Sequence, residues 1–125
     1  MIDLCFIIVN WNTRQLLVDC IDSINTTVIG SNYQIYVVDN GSMDDSVKAI
    51  RERFPQVIVI ENLENRGFAA AVNQALEKHT AMYCVLINTD TILHKNAIRA
   101  MYSFMEQHKD NPTVKLIRSY DGEEF

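Results

Sequence analysis

Residues 82–91 read Met-Tyr-Cys-Val-Leu-Ile-Asn-Thr-Asp-Thr, and the fold follows from them. Six apolar residues, 82–87, run without a charge. That is enough for one strand and far short of the roughly 20 residues a membrane span needs. A run with no polar alternation suits a strand covered on both faces, as in a parallel sheet packed between helices. It stops at Asn88-Thr89-Asp90, setting oxygen-bearing side chains at the carboxyl end of a buried strand. In open α/β sheets that is where ligands bind. Asn88 and Asp90 can both reach one hard cation, and such cations bridge to phosphate oxygens.

The pattern recurs upstream. Residues 4–9, Leu-Cys-Phe-Ile-Ile-Val, are a second continuous apolar run and predict the first strand. Asn10-Trp11-Asn12-Thr13 follows as a polar turn, with Asn12 or Thr13 placed to cap a helix. Leu17, Cys20, Ile21, Ile24 and Val28 recur at helical spacing and predict its buried stripe, broken by Gly30-Ser31-Asn32. Residues 33–38 predict a second strand, ending in Asp39-Asn40-Gly41-Ser42, where Gly41 permits a tight turn. Ser42 and Asp45 have the spacing of a capping box. A helix is therefore expected from about Met43, with Val47, Ile50 and Phe54 inward and Pro55 as its stop.

Residues 57–60 predict a third strand. The next helix is expected to turn Phe68, Val72, Ala75, Leu76 and His79 to the core, while Ala69, Ala70 and Ala71 let it lie close to the sheet. Beyond the strand at 82–87, Ile98, Met101, Tyr102 and Met105 predict another inward helical face. Asn111-Pro112 ends it, residues 114–117 suit a fifth strand, and Asp121-Gly122 signals a turn.

Strands alternating with helices at this rhythm predict an α/β fold: a Rossmann-like α/β/α sandwich with a mostly parallel sheet and right-handed crossovers. Residues 1–125 count as one domain. The loops at 10–13, 39–42, 62–67 and 88–90 then emerge on one edge, and their convergence is the main argument for a ligand site.

Composition narrows the ligand. The chain is 48% hydrophobic and 22% charged, with a formal charge of −5 and no cluster of Lys and Arg, so no nucleic-acid partner is expected. No signal peptide and no membrane span are expected either. Cys5, Cys20 and Cys84 are odd in number, sit in apolar patterns and lack zinc spacing. They suit buried free thiols and a cytoplasmic location. The first strand–helix turn contains no glycine, which removes the dinucleotide fingerprint, and no Walker sequence occurs. What remains is a nucleotide or phosphate ligand held by loop carboxylates, amides and a metal.

Four segments in order carry a family resemblance: residues 8–13, 37–46, 62–73 (Asn-Leu-Glu-Asn-Arg-Gly-Phe-Ala-Ala-Ala-Val-Asn) and 86–91 (Leu-Ile-Asn-Thr-Asp-Thr). Together they resemble a family 2 glycosyltransferase over essentially the whole chain, the rhamnosyltransferase-like branch being nearest in wording. The resemblance implies a GT-A fold and a nucleotide-diphosphate sugar donor, UDP- or dTDP-linked, bound through Mg²⁺ or Mn²⁺. It also implies inverting transfer of the sugar to an acceptor hydroxyl in cell-surface polysaccharide synthesis.

Residue by residue, the resemblance places Val9, Asn10 and Asn12 around the base pocket with Trp11 nearby, and Asp39 and Asn40 on the base or ribose. Arg66, Gly67 and Asn73 would border the nucleotide-sugar pocket. Asn88-Thr89-Asp90 stands where the family has Asp-x-Asp, with Asp90 as the metal ligand. Asn88 in place of the first acid removes one negative charge and lowers the expected metal affinity.

The family's domain runs roughly twice as far as one 125-residue domain. Its acceptor-side base has no counterpart in these residues, so the chain is expected to be the donor-binding half, apparently truncated. Such a half should expose an apolar edge and self-associate, a homodimer being the simplest form. The full-length protein is expected to lie peripherally on a membrane. Three other readings compete: a non-catalytic binding or assembly module, a nucleotidyltransferase, and a phosphoacceptor domain.

Overall fold

The computed structural model of the chain describes residues 2–110, 117–120 and 123–124. Strand and helix alternate as β1 (Leu4–Asn10), α1 (Arg14–Thr27), β2 (Tyr33–Asp39), α2 (Ser46–Arg53), β3 (Ile58–Glu61), α3 (Phe68–Leu76), β4 (Tyr83–Ile87) and α4 (Ala97–Gln107). Two short strands follow, β5 (Ile117–Tyr120) and β6 (Glu123–Glu124). They form one sheet in the order β3-β2-β1-β4-β5-β6. Every pairing is parallel except that of β6 with β5. The chain winds outward to β3 and then returns across β1 to β4. The switch point therefore falls between β1 and β4.

Successive residues of a strand face opposite sides, and β1 shows why its sequence does not alternate. Leu4, Phe6 and Ile8 pack with Leu17, Ile21 and Ile24 of α1, Ile50 of α2 and Ile98 of α4. Cys5 and Ile7 pack on the other face with Tyr36, Val38 and the α3 residues Ala71 and Ala75. Ala71 and Ala75 are fully buried, so α3 rests on the sheet without an intervening side chain. A larger residue there would overpack the layer, at a cost of roughly 1–3 kcal/mol.

Three expectations need correction. α2 begins at Ser46 rather than near Met43, and its N-cap Asp45, in the left-handed region at φ 63°, makes no side-chain cap bond. The hydroxyl of Ser42 is spent instead on the buried Asp39 carboxylate, so the capping box does not form. α3 buries Ala71, Val72 and Ala75, while Phe68 and Leu76 are exposed. The side chains at the two ends of this nine-residue helix escape the core. α1 takes no cap from Thr13; Asp44, 30 residues away, accepts the Arg14 N–H at 3.0 Å. Of the strand expected at 114–117, residues 114–116 lie outside the described residues, as does the turn at Asp121-Gly122, and the strand seen is Ile117–Tyr120.

Gly41 is fixed by both conformation and space. Its φ is +82°, and a Cβ would meet the Glu64 Cα and the Leu63 carbonyl oxygen at 3.1 Å. Gly41→Ala is expected to destabilise the chain by about 1–3 kcal/mol, read as a lowered urea midpoint. An unchanged midpoint would contradict this packing of the two loops.

Candidate functional site

The site is built on one pair of register partners, Asn10 and Asp39, the last residues of β1 and β2. Both are buried polar side chains, and both are satisfied by each other and by Ser42. Asn10 Nδ2 donates to Asp39 Oδ1 at 2.9 Å, and the Ser42 hydroxyl donates to the same oxygen at 2.6 Å. The Ser42 backbone N–H donates to Asp39 Oδ2 at 2.9 Å. Asp39 is 3% exposed, so its carboxylate holds the loop from behind rather than facing solvent.

Asn12 clamps the two loops from the other side. Its backbone N–H donates to Ser42 Oγ at 2.8 Å, and its side-chain oxygen accepts the Met43 N–H at 2.7 Å. Both bonds depend on a left-handed φ of 54°, which asparagine tolerates better than most residues. The Thr13 hydroxyl lies 2.7 Å from Asn10 Oδ1 and 3.1 Å from the Thr89 hydroxyl. A continuous hydrogen-bonded chain thus runs from β2 across β1 to the loop after β4.

A second set of amides anchors the third wall. Asn40 donates to the Gly67 carbonyl at 3.1 Å, and its oxygen accepts from Asn62 at 3.0 Å and from the Arg66 N–H at 3.3 Å. Asn62 and Gln74 exchange reciprocal bonds of 2.8 Å. The start of α3 is therefore fixed relative to the end of β2.

These loops enclose a cleft of about 490 Å³ beside the switch point. Of the residues singled out in the sequence, Val9, Trp11, Asn40, Gly67, Asn88 and Asp90 line it, and Thr13, Leu16, Asn65, Phe68 and Thr89 complete the wall. Asn10, Asn12 and Asp39 stand behind the wall as its supports. Arg66 and Asn73 are exposed and lie outside the lining. Asp39 and Asp90 belong to the same carboxyl edge of the sheet, joined through Asn10, Thr13 and Thr89.

Among the described residues, Asp90 is the one charged residue in the lining. It is exposed, and among the described residues no hydrogen bond or ion pair engages its carboxylate or the Asn88 side chain. Among the described lining residues, which include no His or Cys, one carboxylate and one amide oxygen form a hard donor set. That chemistry fits Mg²⁺ or Mn²⁺ with water and phosphate completing the shell. Trp11 and Phe68 are 55% and 49% exposed, large apolar surfaces at the mouth. Sequence reasoning missed Ser42, Thr13, Thr89 and Gln74 as structural members of the site. Only the Asp39–Ser42 spacing, a local side-chain turn, could have signalled one of them.

The open sheet with its switch-point cleft matches solved structures of the GT-A glycosyltransferase fold. The S. aureus TarS 1–349 structure in complex with UDP-GlcNAc matches with a TM-score of 0.77 and 16% identity, over 86% of this chain and 32% of that one. The mannosyltransferase PcManGT from Pyrobaculum calidifontis, in complex with GDP-Man and Mn²⁺, matches with a TM-score of 0.77 and 24% identity, over 89% and 33%. The chain belongs to glycosyl transferase family 2, which it matches over residues 5–125.

Curated relatives include the poly(ribitol-phosphate) beta-glucosyltransferase of Bacillus spizizenii, 26% identical over 90% of this chain and 18% of the relative. Another is the glycosyltransferase GlyG of Streptococcus pneumoniae, 26% identical over 89% and 38%. The chain spans from 13% to 38% of the length of such relatives. Among the described residues, no helix is long and apolar enough to cross a membrane.

Asp44 ties the loop after β2 to the starts of both α1 and α2. Burial pushes its carboxyl up, but the Ser46 hydroxyl and the Arg14 and Ser46 N–H groups outweigh burial and hold it below 3.8. A depressed carboxyl contributes stability above its unfolded value and loses it as pH falls through its folded value. Asp44→Asn should lower the urea midpoint at neutral pH, with the gap to wild type closing below about pH 4. A gap of constant size down to about pH 2 would contradict this role.

Proposed function

We propose that the cleft binds the nucleoside diphosphate of a nucleotide-sugar donor, UDP- or dTDP-linked, with Mg²⁺ or Mn²⁺ held at Asn88 and Asp90. The carrying observation is that loops from β1, β2, β3 and β4 meet in one cleft whose lining, among the described residues, holds one carboxylate with no hydrogen bond or ion pair. A diphosphate beside Asp90 would be repelled without a bridging cation, so the two are read together. The nucleotide complexes of TarS and the Mn²⁺ complex of PcManGT support this reading by likeness of fold. The cation, when bound, neutralises the diphosphate and assists its departure as a leaving group.

In this assignment Val9, Trp11 and Asn40 border the base and ribose, and Asn10, Asn12 and Asp39 hold them in place. Trp11 offers a flat apolar surface to the base. Gly67 leads the diphosphate to the start of α3, which has no side-chain cap and presents its first N–H groups. Arg66, exposed beside Gly67, supplies a cation toward the outer phosphate oxygens. Asn73, on the exposed side of α3, borders the sugar end of the pocket at most through a longer reach.

Asp90 is committed to the cation, so these residues account for donor binding and not for deprotonation of an acceptor hydroxyl. The relatives named for poly(ribitol-phosphate) and minor teichoic acid synthesis favour a cell-surface polymer pathway. For the whole protein the reading is inverting transfer of the sugar to an acceptor hydroxyl.

Titration calorimetry of the chain with UDP is expected to show heat with Mn²⁺ present and little without it. Asp90→Asn should weaken the Mn²⁺-dependent binding about tenfold or more while leaving the thermal midpoint close to wild type. Binding of equal strength with and without metal would overturn the cation's place.

The reading extends to self-association. β3, an edge strand, carries Ile58, Val59 and Ile60 only partly buried, and the nearby loop tips Met43 and Leu63 are almost fully exposed. Sedimentation at rising concentration is expected to show a dimer. A monomer throughout would contradict this part of the reading.

A further inference from the structure

A second cluster lies at the opposite end of the switch-point strands. Cys5 and Cys84 are register partners on β1 and β4, each the second residue of its strand. Their sulfurs and a ring nitrogen of His79 lie within 4.8 Å of one another. Cys5 is buried, whereas Cys84 is half-buried and joins His79 in the wall of an apolar cavity of about 380 Å³.

Two thiols and an imidazole invite a zinc ion. The imidazole ring argues against it. His79 Nδ1 accepts the Ala81 backbone N–H at 3.0 Å. In the neutral ring the proton then resides on Nε2, which lies 3.0 Å from the Cys84 sulfur. A metal-bound ring presents a bare nitrogen to the ion and donates from the other one. Here the other nitrogen faces a donor, and the nitrogen near the sulfur carries the proton.

The cluster therefore directs the His79 N–H at the Cys84 sulfur, at the wall of the cavity. Cys5 lies beside Cys84 in register with its own thiol toward the Phe6 carbonyl at 4.0 Å, and the closeness of the two thiols lowers Cys84 against the opposing effect of burial while it raises Cys5. Cys20 is the contrasting thiol. It is fully buried and pushed up to about 12, by burial first and then by the charge of Asp90.

We infer that Cys84 is a nucleophilic thiol open to peroxide-class oxidants and that Cys5 is its resolving partner. The Cys84 thiolate attacks one oxygen of hydrogen peroxide, breaking the O–O bond and giving a sulfenic acid and hydroxide. The Cys5 thiol then attacks that sulfur, forming the disulfide and releasing water; in total two thiols and one peroxide yield one disulfide and two waters. Neighbouring strands about 4.8 Å apart fall inside the roughly 4.4–6.8 Å Cα window that a disulfide requires. Oxidation would cross-link the two strands that carry Asn10 and Asn88 at their far ends, without touching the cleft.

The test is peptide mass mapping of the chain after limited hydrogen peroxide, with free thiols then alkylated. The expected product is a Cys5–Cys84 disulfide with Cys20 reduced. Iodoacetamide should label Cys84 in the unoxidised chain, and His79→Gln should slow that labelling about tenfold. Cys5→Ser should leave a Cys84 sulfenic acid that a 1,3-dione traps. The inference is overturned if wild type forms no Cys5–Cys84 bond, or if His79→Gln labels at the wild-type rate. It is equally overturned if one equivalent of Zn²⁺ binds and protects both thiols, which would make the cluster a metal centre.

Discussion

The structure depends on a buried carboxylate whose oxygens all find donors. Asp39 ends β2 beside Asn10, the end of β1, and receives bonds from Asn10, the Ser42 hydroxyl and the Ser42 N–H. Leaving such a group unpaired at 3% exposure would cost several kcal/mol, so the loops have little freedom to rearrange. Parallel pairing supplies the constraint: it brings two polar residues to the same level of the sheet, and the chain must satisfy them there. The turn through Gly41, the clamp by Asn12 and the link through Thr13 to Thr89 follow from that choice.

Rigid support behind the cleft contrasts with free chemistry inside it. Asn10, Asp39, Asn40 and Asn62 are buried and fully engaged. Asn88 and Asp90 are more open and have no side-chain partners among the described residues. A binding site held by saturated amides loses little entropy when it orders a ligand, because its framework is already fixed.

Much of this was legible in the sequence because the strands announce their ends. The apolar runs at 4–9 and 82–87 stop at Asn10 and Asn88, and the structure turns the chain there. Their lack of alternation correctly indicated burial on both faces. Local patterns failed where a distant partner competed. Ser42 had the spacing to cap a helix, but strand pairing delivered a buried carboxylate that takes its hydroxyl. Asp44 caps α1 from 30 residues away, and Thr13 reaches Thr89 across 76, contacts no periodicity encodes. For α3, helical spacing named residues sharing a side, yet only the middle of the helix overlies the sheet. Phe68 consequently faces the cleft rather than the core.

The central claim is that one cleft at the β1–β4 switch point takes a cation-held diphosphate. Backbone amide NMR of the chain, titrated with UDP in the presence of Mg²⁺, tests it most directly. The account predicts saturable shifts concentrated at Trp11, Asn40, Gly67, Thr89 and Asp90, with the amino ends of β1 and β4 unmoved. Shifts scattered over the surface, or clustered at the amino ends of the strands, would contradict it.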